Sequence, residues 1–305
     1  MRRHEEAGRE GCRMRGRSGK EWPRKIRLRD VSLYVDAVGH GEPLVVMHGG
    51  PSGDLWTMAA FRRCADRHTL VFYDHRCNGR SVGVPVSSMT WDNLTADADA
   101  LRNHLGFERW AVLGHSFGGH VALEHALRYP ERVSRLVLLD TGADSRWARE
   151  NAPRVVAGRG FGPAKVELVR RWFHGEFTPR EYLPIFWRIS DAYVHGSGVR
   201  FLARVLAEGG WRSRVRPEAL IFAGQELLAG WSVLDRLAEI SVPTLVMAGR
   251  QDFVFPPECQ QELADRIPGA RLVIVDDAGH NPHDEKPDQV LRELRKFLGP
   301  GGGTT

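Results

Sequence analysis

The sequence predicts an α/β fold: a doubly wound, mostly parallel sheet that carries an inserted helical cap. Three observations predict it. Six strand-length apolar runs recur along the chain, helix-like segments separate most of them, and residues 143–232 break the alternation. Uninterrupted apolar runs are buried on both faces, as in a parallel sheet covered by helices.

Taken in order, residues 1–24 read as a basic, disordered tail. From Lys25, the stretch KIRLRDVSLYVDAVGHGEP shows short alternating apolar segments broken at Gly39 to Pro43, the pattern of an antiparallel hairpin. The runs LVVMHGG, TLVFYD, WAVLG, VSRLVLLD, TLVMAG and ARLVIVD follow. Among the intervening helical segments, TADADALRNHLG has Thr95 as its expected N-cap and Gly106 as its stop. GGHVALEHALRYP ends at Pro130, and PECQQELADRIPG ends at Pro268. The last, PDQVLRELRKFLGP, places Val290, Leu291, Leu294, Phe297 and Leu298 on one face behind Pro287. Strand, helix and strand repeated in this way give an open sheet with right-handed crossovers. The expected core is 25–142 together with 233–299, the cap is 143–232, and 300–305 is a flexible end.

The inserted stretch has no strand-like run and is rich in aromatics, including Trp172, Phe177, Tyr182, Trp187 and Trp231. Most should fill the cap's own core, with a few reaching a pocket at the carboxyl edge of the sheet, where open α/β sheets bind ligands.

The formal charge of +5 is local. Residues 1–30 hold eleven Lys or Arg against five Asp or Glu, a surplus of six, so residues 31–305 sum to −1. A solvated tail, and no nucleic-acid surface, is the reading that follows. The tail lacks the apolar core of a secretory signal, and no run reaches the roughly 20 apolar residues of a membrane span. Four cysteines (Cys12, Cys64, Cys77, Cys259) show no metal-like spacing and are too few for a disulfide scaffold. The expectation is a cytoplasmic protein without membrane association; Met14 is a second possible start. Oligomeric state is not legible.

The chemistry gathers at strand ends. GHSFGG matches G-x-S-x-G between a strand and a helix, which marks Ser116 as a nucleophile held on a strained turn with Gly114 and Gly118 kept small. A serine hydroxyl needs a base and an orienting acid. His115 and His120 are close in sequence but poorly directed; His280, in the loop after the last strand, is preferred, with His283 as the weaker alternative. Asp252 follows TLVMAG and is the preferred acid, with Asp140 after VSRLVLL as the alternative. Two backbone N–H groups must hold the oxyanion. Phe117 supplies one, and Gly50 is the better donor for the other, with Gly49 second. Gly49, His115 and Trp187 are candidates to contact substrate. His115 and His120 are five residues apart rather than four, and HNPHDE would bind a metal only adventitiously, so no metal is expected.

Together these residues carry a resemblance. From about Leu33 to Leu298 the chain resembles the α/β-hydrolase superfamily and, within it, the proline iminopeptidase group. It does so through HGGP, YDHRCNGRS at Tyr73 to Ser81, GHSFGG, GRQD and AGHNPHDEKP. The resemblance implies a serine hydrolase with a helical cap and no cofactor, with Ser116, Asp252 and His280 as triad and Gly50 and Phe117 as oxyanion donors. Asp74 and Arg76 match a segment that buttresses the oxyanion loop. Ser52, Cys77 and Phe117 depart from the group's usual residues. No cap acid aligns with the group's amine-binding glutamates; Glu176, Asp191 and Glu226 are candidates by location only. The expected substrate is a small molecule or short peptide: an N-terminal proline amide, or alternatively an ester or lactone. A non-catalytic small-molecule receptor is the reading from another class.

Overall fold

The computed structural model describes residues 22–299 other than 197 and 208. Most of the expected basic tail, with Met14, therefore lies outside the described residues, as do residues 300–305. The last residues assigned to the tail are ordered: Trp22 is buried, with the Arg24 guanidinium 4.3 Å over its ring, and a strand begins at Arg24.

The eight strands are β1 (Arg24–Leu28), β2 (Val31–Val38), β3 (Glu42–Met47), β4 (His68–Tyr73), β5 (Trp110–His115), β6 (Val133–Leu139), β7 (Thr244–Gly249) and β8 (Arg271–Val275). They form one sheet in the order β1-β2-β4-β3-β5-β6-β7-β8. Strands β1 and β2 do form an antiparallel hairpin, but it turns at Arg29 and Asp30; the expected break at Gly39 to Pro43 instead leads from β2 into β3, which is not its neighbour, because β2 pairs antiparallel with β4. Every other pairing is parallel. The chain runs outward from β3 to β4 and then returns past β3 to β5. The carboxyl ends of β3 and β5 thus flank the point where the strand order reverses, the crevice in which such sheets bind ligands.

Each central strand feeds two cores because successive side chains face opposite ways. On β3, Val45 and Met47 pack on one face while Leu44 and Val46 pack on the other; on β5, Val112 and Leu113 divide in the same way. Helices α1 (Trp91–Leu105) and α2 (Phe117–Arg128) follow β4 and β5. The N-cap of α1 is Thr90, whose side chain accepts from Asn93 N, not the expected Thr95. Thr95 is one turn inside, and its hydroxyl donates to Trp91 O at 2.8 Å. The helix starts earlier because Trp91 is packed against Trp231 and Phe117, at ring separations of 5.0 and 6.1 Å. Gly106 ends it in the left-handed conformation, as expected.

Between β6 and β7 come α3 (Ala152–Gly158), α4 (Pro163–His174), α5 (Tyr182–Ile189), α6 (Gly198–Ala207) and α7 (Pro217–Phe222), with no strand among the described residues there. Their core is aromatic: Trp172 stacks on Phe177 at 5.3 Å and packs on Tyr182 at 5.0 Å. Phe253 and Phe255 from the loop after β7 join this cluster and seat the helices on the sheet edge. Helices α8 (Pro257–Arg266), α9 (Pro282–Glu285) and α10 (Pro287–Leu298) complete the fold. Helix α10 buries Val290, Leu291, Leu294 and Leu298, worth about 1.5–3 kcal/mol each against exposure. No helix of the described residues is long and apolar enough to cross a membrane.

Candidate active site

Ser116 stands between β5 and α2 with φ +52° and ψ −119°, a conformation costing about 1–3 kcal/mol that persists only where the surroundings enforce it. Here they do. Its amide donates to Leu139 O at 3.0 Å, and its carbonyl accepts from the Thr141 hydroxyl at 2.8 Å and Gly119 N at 2.9 Å. The neighbouring glycines leave no room for alternatives. A Cβ on Gly114 would lie 2.3 Å from Gly118 O, and one on Gly118 would lie 2.2 Å from Met47 O. The serine hydroxyl is thereby held at the carboxyl edge, beside the N-terminus of α2.

His280 arrives from the loop after β8, with Nε2 3.0 Å from Ser116 Oγ and Nδ1 2.8 Å from Asp252 Oδ2. An ionised carboxylate only accepts, so Nδ1 carries the proton and Nε2 is free to accept from the serine. Asp252 Oδ1 accepts from Val254 N at 2.8 Å, and both residues are buried. The loop itself is pinned. His280 N donates to Tyr193 O at 2.8 Å, and the His280 carbonyl lies 2.9 Å from His115 Nε2.

His115 therefore grips the loop that carries His280; burial and the neighbouring His283 and His280 hold it neutral, far below the usual histidine range. His283, the alternative base, points elsewhere, with Nε2 3.3 Å from Thr57 O and its ring stacked on Phe61. Asp140, the alternative acid, sits behind the triad, fully buried, with Oδ1 accepting from Gly249 N at 2.9 Å.

Of the two amides expected for the oxyanion, Phe117 N opens α2, where first-turn N–H groups lack partners within the helix. Gly50 has φ +59°, which lets its segment turn tightly beside Ser116. Gly49 must be glycine for closeness: a Cβ there would meet His115 Nδ1 at 2.5 Å and Ser116 Cβ at 3.1 Å. His48 braces the segment, with Nδ1 2.9 Å from Gly49 O and Nε2 accepting from His75 N at 3.1 Å.

Of the two residues expected to buttress this loop, Asp74 bonds the segment just after it, whereas Arg76 bonds α1 and Asp30 instead. Asp74 accepts from Leu55 N at 2.9 Å and Arg80 N at 2.7 Å, and burial pushes its carboxyl up to about 7. Arg76 forks onto Asp97 at 2.7 and 2.8 Å.

Sequence reasoning missed Asp54. Fully buried, it caps the segment Leu55–Cys64 and also accepts from Arg214 N at 2.6 Å and Ser213 Oγ at 3.0 Å, tying the stretch before α7 to the segment that follows Gly49 and Gly50. The legible signal was an N-cap residue after a glycine-rich turn. Ser52, one of the departures noted above, makes a second tie through its hydroxyl 2.9 Å from Tyr182 OH.

Around the triad the side chains are rings. Phe255 and Tyr193 lie 5.9 and 5.5 Å from His280, and His120 lies 4.5 Å from Trp231 and 5.6 Å from Phe255. Burial pushes His120 down to about 3, so it too is neutral. The three location-based acids lie elsewhere: Glu176 pairs with Arg170, Asp191 with Lys165, and Glu226 is exposed. Trp187 is 75% exposed on α5.

Residues 42–287 match the family described as alpha/beta hydrolase fold. A proline iminopeptidase of Xylella fastidiosa is 38% identical over 291 residues, covering 85% of this chain and 90% of that one. Among solved structures, the proline iminopeptidase of Mycobacterium smegmatis superposes with a TM-score of 0.71 at 26% identity, covering 90% of this chain and 97% of that one. The thermophilic esterase of Thermogutta terrifontis, also at 26% identity, has a TM-score of 0.67 and covers 90% and 98%. Fold, sequence and comparisons agree that this chain is a serine hydrolase and belongs to the alpha/beta hydrolase fold family.

Proposed function

We propose that the protein hydrolyses a small amide or peptide, in the manner of an N-terminal proline iminopeptidase, through an acyl-enzyme on Ser116. The observation that carries it is the unbroken relay from Ser116 Oγ to His280 to Asp252, at 3.0 and 2.8 Å. His280 Nε2 takes the serine proton as Oγ attacks the substrate carbonyl, and Asp252 stabilises the imidazolium that forms. The amides of Gly50 and Phe117 hold the oxyanion. His280 then protonates the departing amine, and a water, deprotonated by the same histidine, releases the acid. No cofactor enters these steps. The iminopeptidase relative at 38% identity supports the amide class.

A second reading has its own support. A protonated proline amine bound out of water needs an anion, since an unpaired buried cation is costly. The three cap acids that sequence reasoning offered are paired at the surface or exposed, while Phe255, Tyr193 and neutral His120 lie near the triad. A neutral ester or lactone suits such walls. The test is turnover of a prolyl arylamide against a short-chain acyl aryl ester by the same preparation. Cleavage of the amide with kcat/KM at least comparable to the ester supports the peptidase reading; ester turnover without amide cleavage replaces it with the esterase reading.

A further inference from the structure

The alternative acid, Asp140, has a place in the structure that the triad does not explain. It is the first residue after β6, and β6 lies between the strand that delivers Ser116 and the strand that precedes Asp252. The side chain is fully buried, and the backbone is held at φ +45°, with its amide donating to Met247 O at 2.9 Å. One carboxyl oxygen accepts from Gly249 N at 2.9 Å, and the other has no hydrogen-bond partner among the described residues. One oxygen of Asp140, one of Asp252 and a ring nitrogen of His280 all lie within 4.8 Å of one another.

Two buried carboxyls so close cannot both be ionised without a cation between them. Among the described residues no Lys or Arg forms an ion pair with either. Among the described residues the only ion-pair partner of Asp252 is His280. The other titratable groups that face the pair are Glu285, which burial pushes up to about 7 and which adds negative charge only when ionised, the buried Tyr193 hydroxyl, the neutral His115 and His120 near His280, and the buried Cys259 thiol beyond Asp252. Arg159 is the cation felt by Asp252, and its guanidinium is bonded to Gln251 O at 2.7 Å. The pair therefore keeps one proton. Asp252 accepts from two donors, His280 Nδ1 and Val254 N, whereas Asp140 accepts from one, so the negative charge settles on Asp252 and the proton on Asp140. Burial first, and the Asp252 charge second, push the Asp140 carboxyl in the same direction.

We propose that Asp140 is a positioning residue: a buried carboxylic acid whose proton is donated to the back of the Asp252 carboxylate. It gives Asp252 a third donor and fixes a single negative charge behind His280. The inference rests on the acyl-transfer reading of Ser116. It explains why the side chain needs an acceptor on one atom, for Gly249 N–H, and a donor on the other, toward Asp252. Asparagine meets both needs and also tolerates positive φ; alanine meets neither.

The test follows the His280 imidazole by NMR titration in the Ser116→Ala protein, alone and combined with Asp140→Asn or Asp140→Ala. With Asn the charge behind His280 is the same, so its titration should stay within about 0.3 pH unit of the parent. With Ala, Asp252 loses a donor and becomes more basic, so the His280 titration should rise by about 0.5 pH unit or more. In the Ser116 background, kcat should fall about tenfold with Ala at little change in KM and recover most of that loss with Asn. A downward shift of more than about 0.5 unit with Asn would show that Asp140 is itself charged, and titration with Ala indistinguishable from the parent would show that it does nothing for the triad; either overturns the proposal. If the Ala variant does not fold, the Asn titration decides alone. Hydrolysis persisting in Ser116→Ala would sink the acyl-transfer reading instead, and leave the titration readable.

Discussion

The turn around Ser116 and the helical cap above it are built on opposite principles. At the turn, almost every atom has one place to be: the serine backbone is strained, Gly114 and Gly118 leave no room for a Cβ beside backbone carbonyls, and Ser116, His280 and Asp252 are linked by hydrogen bonds. In the cap, helices pack through interchangeable aromatics, and eight of the nine exposed large hydrophobic side chains among the described residues fall between Leu183 and Val215. Reaction chemistry tolerates displacements of a fraction of an ångström, so it is put where packing is over-determined. Substrate choice needs only a wall of suitable size and polarity, which many residues can supply.

The sharpest way to test that contrast is to remove the attacking oxygen alone. Ser116→Ala should lower kcat by about four to six orders of magnitude while leaving the fold intact, because alanine keeps the backbone and removes one atom. Steady-state kinetics beside a circular dichroism melt will show it. Substantial retained activity in a purified sample would place the chemistry elsewhere.

The turn's geometry can be broken without touching its chemistry. Gly118→Ala puts a Cβ 2.2 Å from Met47 O and 2.6 Å from His48 O, both backbone atoms that cannot swing away. It should cost about 4 kcal/mol or more, a large part of a domain's stability, and leave little folded protein. A variant that melts within a few degrees of the parent would mean the turn can relax and is less constrained than its contacts imply.

How far these two regions could be read from residues alone differs in the same way. Five strands of the parallel part announce themselves as apolar runs because most of both faces is buried, β8 at the sheet edge is an equally apolar run though four of its five residues are half-buried, and the turn announces itself because only glycine fits beside it. The order serine, acid, histidine along the chain supports Asp252, but Asp140 fits that order too, and the structure adds a geometric difference between the two. Asp140 comes directly after β6 and stays behind the sheet edge, whereas Asp252 lies three residues past Gly249, far enough to turn toward His280. The ties through Asp54 to Ser213 and Arg214 link residues about 160 positions apart, and no local pattern encodes them. The start of α1 was missed because Thr90 and Thr95 cap equally well in isolation, and only the packing of Trp91 on Trp231 chooses between them. In the cap, helical segments and aromatics were visible, but which ring faces the triad depends on how α3 to α7 pack.

Two buried histidines should make the fold sensitive to acid in a defined window. Burial pushes His120 down to about 3 and His125 down to about 4, so the folded protein keeps both neutral while the unfolded chain protonates them near 6.5. Between those values the unfolded state binds more protons, and stability falls as pH falls, by up to about 1.4 kcal/mol per pH unit for each group. Asp74, Asp284 and Glu285, which burial pushes up to about 7, act the other way because they take up protons in the folded state first, so the histidine part is read by difference: from pH 7 to pH 5 the melting temperature should fall less in His120→Leu than in the parent. An equal drop in that variant would assign the acid sensitivity to other groups.

The smallest effect is expected at Trp187, where the cap is least constrained. The ring is 75% exposed on α5, beside Leu183 and Phe186, which are 63% and 40% exposed. Trp187→Ala removes a side chain that buries little, so stability should change by no more than about 0.5 kcal/mol, which calorimetry can resolve. If this face meets the part of a substrate remote from the reacting carbonyl, its contacts are equally strong in the ground and transition states. Their loss should then raise KM by about two- to fivefold and leave kcat unchanged. A fall in kcat at constant KM would give Trp187 a role during the reaction itself, and a melt several degrees lower would make it part of the cap's cohesion. The expected result keeps the division intact: the turn sets whether a bond is cut, and the cap sets which molecule is held long enough.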